Sequence, residues 1–202
     1  MSAEQKILDE IAKQTVGSRD DDVYVLELDN VPIQKFTPRI QQQVKRFRSL
    51  QVFSLVSCGI QSLDYFPDNP SLIRLDLVNN KINGSDLQNL AGSLHLQTLM
   101  LSHNNINKVD DLKALGHFKE LSQLDLVGNE VENTENYRKD VFKIFNKLQL
   151  LDGEDKNGEY DEISMNQAAS KIPQNLFERK VSAAQLNVMN RMSSAKNLDA
   201  VE

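Results

Sequence analysis

Apolar residues along the middle of the chain recur in an eleven-residue frame. Leu72, Leu75, Leu77, Asn80 and Ile82 define it, Leu96, Leu99, Leu101, Asn104 and Ile106 repeat it, and Leu121, Leu124, Leu126, Asn129 and Val131 repeat it again. A degenerate copy precedes them at Leu50, Phe53, Leu55, Cys58 and Ile60, so successive copies start 22, 24 and 25 residues apart. Each Leu-x-Leu pair has the two-residue period of a short strand with one buried face. The later apolar positions (Leu63 and Phe66; Leu87 and Leu90; Leu112, Leu115 and Phe118) predict a return segment that carries the chain back to the next strand.

A self-similar period in the low twenties is the signature of a leucine-rich repeat. The fold class expected is α/β: a leucine-rich repeat solenoid, a curved right-handed horseshoe with a parallel sheet on its concave face and a cap at each end. Ile7, Leu8 and Ile11 predict a helix over residues 4–14, and Asp20-Asp21-Asp22 interrupts it. Val23, Leu26, Leu28 and Asn30 read as a shortened first strand turn, and Ile40, Val44 and Phe47 as a helix leading into the strand at Leu50 to Leu55. At the far end the segment from Tyr137 to Phe145 is helical in period, and Leu148 to Gly153 adds a last strand turn. A solenoid needs such caps because its terminal repeats would otherwise expose the core. The expected division is a repeat domain over 1–158 and an extension over 159–202. Phe177, Val181, Ala184, Val188 and Met192 there form one stripe of a helix expected at 174–192. That helix would dock on its own solenoid or pair with another chain, the remaining alternative being a disordered segment.

Asn80, Asn104 and Asn129 fall where each strand turns out of the sheet and leaves backbone groups unpaired. An amide that both donates and accepts is suited to that place, so these asparagines are expected to be structural. Cys58 occupies the same slot and reads as a small buried thiol.

Composition narrows the setting. An apolar share of 40% and a charged share of 26% are those of an ordinary water-soluble chain. No apolar run reaches membrane-spanning length, and Met1-Ser-Ala-Glu-Gln-Lys lacks the apolar core of a signal peptide. With a single cysteine there is no internal disulfide. The expected location is nucleus and cytoplasm, with no membrane partner. A net charge of −6 disfavours direct nucleic-acid binding and favours basic partners. Lys35, Arg39, Lys45, Arg46 and Arg48 form the largest local exception, read as a solvated helix face or a contact for phosphate or an acidic peptide.

Alternation then places a set of residues on the concave face. Val25, Glu27 and Asp29, then Val52, Ser54 and Val56, then Arg74, Asp76 and Val78 point inward, followed by Thr98, Met100 and Ser102 and by Gln123, Asp125 and Val127. His103 lies just beyond its strand. Glu27, Asp29, Asp76 and Asp125 form an acidic stripe interrupted by Arg74, with Met100 as an adaptable apolar contact at its centre. Such a stripe is a solvated surface or a seat for a basic peptide. No nucleophile–base pair, metal-ligand spacing or phosphate loop occurs, and His95, His103 and His117 take different places in the frame. No catalytic residue, metal site or cofactor is expected.

Leu124-Asp-Leu126-Val-Gly-Asn-Glu130-Val131-Glu-Asn133, followed by Tyr137-Arg138, Val141-Phe142-Lys143 and Leu151-Asp152-Gly153, resembles the acidic leucine-rich nuclear phosphoprotein family. Leu26-Glu-Leu28-Asp29-Asn30 resembles that family's first strand, and the similarity runs roughly from residue 23 to 155. The resemblance implies a non-enzymatic regulator that inhibits protein phosphatase 2A, binds histones and chromatin, and moves between nucleus and cytoplasm. That family continues into a long acidic tail, whereas residues 154–202 here carry eight acidic and six basic side chains. Charge-driven histone chaperoning by a tail is therefore not implied. The Tyr-Arg…Leu-Asp-Gly cap also resembles the leucine-rich A-prime protein of the spliceosome, so a ribonucleoprotein scaffold is the alternative expectation.

Overall fold

The structure, a computed structural model, describes residues 2–159. The helix expected at 174–192 and the extension beyond residue 159 lie outside these residues. Six short strands form one parallel sheet in chain order: β1 (Val25–Glu27), β2 (Val52–Ser54), β3 (Arg74–Asp76), β4 (Thr98–Met100), β5 (Gln123–Asp125) and β6 (Leu150–Leu151). The register is constant, pairing Leu26 with Phe53, Phe53 with Leu75, Leu75 with Leu99, Leu99 with Leu124 and Leu124 with Leu151. These residues and the second leucine of each frame are fully buried. The leucine-rich solenoid expected from the period is the fold observed.

The return segments are tight. Gly84–Leu90 and Val109–Leu115 are 3-10 turns that bury Leu87 and Leu90, and Leu112 and Leu115. A 3-10 turn rises faster per residue than an α-helix, so seven residues suffice to bring the chain back. Gly84 is required here, because a Cβ would lie 2.1 Å from an Asp111 carboxylate oxygen of the next repeat.

Both edges of the sheet are closed. At the N-terminal end, α1 (Ala3–Thr15) is capped by Ser2, whose hydroxyl accepts the Gln5 N–H, and it packs Ile7, Leu8 and Ile11 inward. Its Gln14 side chain reaches the outer edge of β1, where the Glu27 N–H donates to Gln14 Oε1 at 3.1 Å and Gln14 Nε2 donates to the Glu27 carbonyl. One side-chain amide thus replaces the peptide of a missing strand and blocks pairing with another chain there. α2 (Pro38–Lys45) follows, with Thr37 as its N-cap and Pro38 in its first turn. At the C-terminal end, α3 (Tyr137–Ile144) leads into β6, whose outer edge folds onto itself. Leu151 N–H donates to Glu154 O at 2.9 Å and Glu154 N–H to Leu151 O at 3.0 Å. No helix among the described residues is long and apolar enough to cross a membrane.

Candidate functional site

What holds the concave face in shape is a ladder behind it. Asn104 Nδ2 donates to the carbonyls of Leu77 and Leu101, each at 2.9 Å, and its Oδ1 accepts the Ile82 N–H at 3.0 Å. Asn80 and Asn129 repeat the pattern, so each asparagine ties its own repeat to the one before. Cys58 takes the slot with its thiol, whose Sγ lies 3.0 Å from Leu28 O and 3.6 Å from Val56 O. Burial, reinforced by the nearby Asp29 carboxylate, pushes the Cys58 thiol up to about 12, which leaves it a poor nucleophile.

Immediately before each of these residues the backbone is left-handed. Ser57, Asn79, His103 and Gly128 have φ values of 59°, 57°, 56° and 74°, and Asn30 at 61° takes the same place in the first turn. The N–H groups of Asn30, Ser57, Asn79 and His103 stay in the ladder, as in Asn79 N to Ser102 O at 2.9 Å and His103 N to Val127 O at 2.7 Å, whereas the Gly128 N–H donates to the Glu132 carboxylate at 3.2 Å. The reversal of twist at that point turns the following side chain inward. The sequence pattern did not reveal this row. Asparagine and glycine at three of its five places are the signal that would have found it, since both tolerate positive φ.

On the concave side, register aligns the candidate residues in rows across the strands. Glu27, Ser54, Asp76, Met100 and Asp125 are successive partners in one row. Beside it, two residues further along each strand, run Asp29, Val56, Val78, Ser102 and Val127. The surface is less open than the alternation suggests, because side chains on the inner side of a curved sheet converge. Met100 is only 6% exposed and Asp125 9%, so Met100 is part of the floor rather than an offered contact; Val127, at 41%, is the exposed apolar side chain. Thr98, Ser102 and Gln123 are also buried.

The charges are partly used within the face. Arg74 grips Asp76 on its own strand with Nε and Nη2, both at 3.0 Å, so the expected basic interruption neutralises one carboxylate. Asp29 accepts the Ser54 hydroxyl at 2.6 Å and the Val56 N–H at 2.9 Å. Burial nevertheless raises its carboxyl above the usual range, and repulsion from Asp76 adds to the shift. Asp125 accepts the Val127 N–H at 3.1 Å. His103 stands exposed at the end of β4, against Gly128 of the next repeat.

Tyr137, Arg138 and Asp152 close the C-terminal end of the face. Asp152 accepts the Leu126 N–H at 2.7 Å on one oxygen and the Tyr137 hydroxyl at 2.9 Å on the other. Arg138 donates to the carbonyls of Leu151, Glu154 and Asp155 and pairs with the Glu154 carboxylate at 3.3 Å. Burial raises the Asp152 carboxyl, and burial together with Asp152 raises the Tyr137 hydroxyl.

Three of the five cations in the basic segment are committed to ion pairs. Arg46 forks onto Asp20 at 2.8 and 3.0 Å, Arg39 meets Glu4 at 3.6 Å and Lys45 meets Asp68 at 3.6 Å. The three histidines stay apart in the fold. His95 lies near Glu120, His103 on the concave rim, and His117 hydrogen-bonds Ala114 O through Nδ1. Among the described residues no three or more His, Cys, Asp or Glu side chains come together as a metal site would need.

Comparison with known proteins adds four similarities. The leucine-rich repeat family model matches residues 23–172. The chain is 51% identical over 176 residues to a protein of Tetrahymena thermophila that is named as a histone, a match covering 87% of this chain and 45% of that protein. It is 41% identical over 113 residues to acidic leucine-rich nuclear phosphoprotein 32 family member A of Drosophila pseudoobscura pseudoobscura, covering 56% of this chain and 43% of the relative. The chain thus spans less than half the length of the curated relatives it matches. Among solved structures, a chain of the Drosophila melanogaster SNF/U2A′ complex is similar with a TM-score of 0.55 and 25% identity, over 83% of this chain and 87% of that one.

Proposed function

This chain belongs to the leucine-rich repeat family, with a repeat domain of the acidic leucine-rich nuclear phosphoprotein type, and we propose that it is a non-enzymatic, chromatin-directed protein-binding regulator. The observation that carries the proposal is the in-register row of Glu27, Asp76 and Asp125 on the concave face, with Asp29 beside it. Aligned carboxylates on a fixed sheet are pre-organised for the Lys and Arg side chains of a basic polypeptide. Histones are the partner class in view, and similarity to a protein named as a histone and to nuclear phosphoproteins supports that direction and a nuclear location. Inhibition of protein phosphatase 2A and passage through the cytoplasm belong to the same proposal.

Capture of core histones and of phosphatase 2A subunits by the full chain tests this reading. Asp76→Lys combined with Asp125→Lys is expected to abolish histone capture while circular dichroism still shows a folded repeat domain. Unchanged capture by a folded double variant would reject the concave face as the seat. The second reading, a ribonucleoprotein scaffold, is favoured by the likeness to a chain of the SNF/U2A′ complex. Co-purification with small nuclear ribonucleoproteins, without histones or phosphatase subunits, would select it.

A further inference from the structure

The loop that joins α1 to β1 carries a serine directly before an acidic run and directly after the helix that closes the sheet. We propose that Ser18 is a phosphorylation site for an acidophilic serine kinase, and that its phosphate releases the Gln14 clasp from the outer edge of β1. The proposal does not depend on the concave face.

Ser18 is followed by Arg19-Asp20-Asp21-Asp22, so carboxylates stand two, three and four residues beyond the hydroxyl. A kinase whose substrate cleft is lined by Lys and Arg selects a serine so placed, because its cations pair with those carboxylates. Ser122 is the one other serine in the sequence with a carboxylate three residues on. Its hydroxyl, however, is held by Gln97 O at 3.2 Å, and the Asp125 it would need is buried in β5. The Ser18 loop stands in solvent instead. Val16 is 81% exposed, Arg19, Asp21 and Asp22 are exposed, and open space surrounds Gly17. In the reaction Ser18 Oγ bonds to the γ-phosphorus of ATP, and the bond from that phosphorus to the β–γ bridging oxygen breaks. ADP leaves, and the hydroxyl proton passes to the base of the kinase.

The placement of the phosphate decides its effect. Ser18 lies three residues past Thr15, the last residue of α1, and its N–H donates to Thr15 O at 3.0 Å. A helix C-terminus carries partial negative charge, so a phosphate there opposes the last turn, and the three aspartates add repulsion. The neighbouring cations are already engaged: Lys13 with Glu10 at 3.3 Å, Arg46 with Asp20 at 2.8 Å and Arg19 with Asp22 at 3.9 Å. Neutralising the phosphate requires breaking one of these pairs. Gln14 sits in that last turn and holds both backbone groups of Glu27. Loosening the turn therefore uncovers the edge of β1, a template for an added strand.

Treatment of the full chain with casein kinase 2 and ATP, read by tandem mass spectrometry, is expected to place one phosphate on Ser18. Ser18→Ala should remove it, and Asp21→Asn with Asp22→Asn should slow incorporation about tenfold. In the phosphorylated protein the Glu27 N–H is expected to exchange with solvent deuterium about tenfold faster. Exchange of the Leu77 N–H, held by Met100 O at 2.8 Å in the middle of the sheet, should not change. Gln14→Ala without phosphate should reproduce the faster Glu27 exchange, and phosphorylating that variant should add nothing further. No phosphate on the full chain, or incorporation that survives Ser18→Ala, would overturn the site. Phosphate on Ser18 with Glu27 exchange unchanged, or with Leu77 accelerated equally, would overturn release of the clasp.

Discussion

The Tyr137 hydroxyl donates to Asp152 at 2.9 Å across the end of the solenoid, while the other Asp152 oxygen accepts the Leu126 N–H at 2.7 Å. One side chain therefore satisfies a strand end and a helix start together, which explains why tyrosine and aspartate occur fifteen residues apart in the cap. Asp152→Ala orphans the buried Leu126 N–H and is expected to cost about 2–3 kcal/mol. Tyr137→Phe removes one bond and keeps the ring, at about 1 kcal/mol. Urea unfolding of both variants, followed by circular dichroism, measures the order; a costlier Tyr137→Phe would contradict this account.

Asn104→Ala isolates the value of one ladder amide. Leu77 O keeps Asn80 Nδ2 at 3.0 Å, Leu101 O keeps Asn129 Nδ2 at 2.9 Å and Ser102 O, 3.3 Å from Asn104 Nδ2, keeps the Asn79 N–H at 2.9 Å, so all three carbonyls retain a partner. Only the Ile82 N–H loses its acceptor, and a small cavity is added. The expected loss is about 2–4 kcal/mol rather than the sum of the four Asn104 bonds. The midpoint of a denaturant titration reads it directly.

His103 is strained by its own backbone. A β-carbon in the left-handed region costs about 1–2 kcal/mol, and glycine's extra unfolded-state entropy takes back about 0.5–1 kcal/mol. His103→Gly is therefore expected to stabilise the fold by about 0.5–1 kcal/mol. Gly128→Ala should destabilise it, because its φ is +74° and a Cβ would lie 2.3 Å from His103 Nδ1. In the double variant the clash disappears while the backbone strain remains, so the two effects should not add. Thermal melts of the four proteins complete the cycle, and strict additivity would show that the ring contact does not matter.

Asp29 sets a pH signature. Its folded carboxyl titrates above the ordinary value, so the folded state holds the proton more tightly than the unfolded chain. The Asp29 contribution to stability therefore grows as pH falls through the folded value and levels off below the unfolded one. Asp29→Asn lacks this contribution. Its stability relative to the parent should decline on acidification from neutral pH towards about pH 4. Urea midpoints at several pH values test it, and a parallel pair of curves would remove Asp29 as the source.

Leu75, Leu99 and Leu124, and the asparagines behind them, were legible because their roles repeat at one period and require one residue type. The caps were legible in outline, from Ile7, Leu8 and Ile11 at one end and Tyr137, Val141 and Phe145 at the other. Gln14 was not, because nothing local distinguishes a glutamine that clasps a strand edge from one in solvent. Nor was the pairing of Arg74 with Asp76, since alternation places both on one face without saying whether they meet. The basic segment looked like a single surface; in the fold, Asp20, Glu4 and Asp68 arrive from distant parts of the chain to meet it.

Sequence by itself determined the repeat, the solenoid and the residues that line its two faces, because period and residue type act locally and are copied in every turn. Only the tertiary structure decided how those faces behave. Register between strands aligned Glu27, Asp76 and Asp125 in one row, and curvature sank Met100 and Asp125 while leaving Val127 exposed. Those outcomes depend on distances between residues more than twenty positions apart. Such distances are set by stacking and hydrogen bonding, which leave no mark in any one repeat.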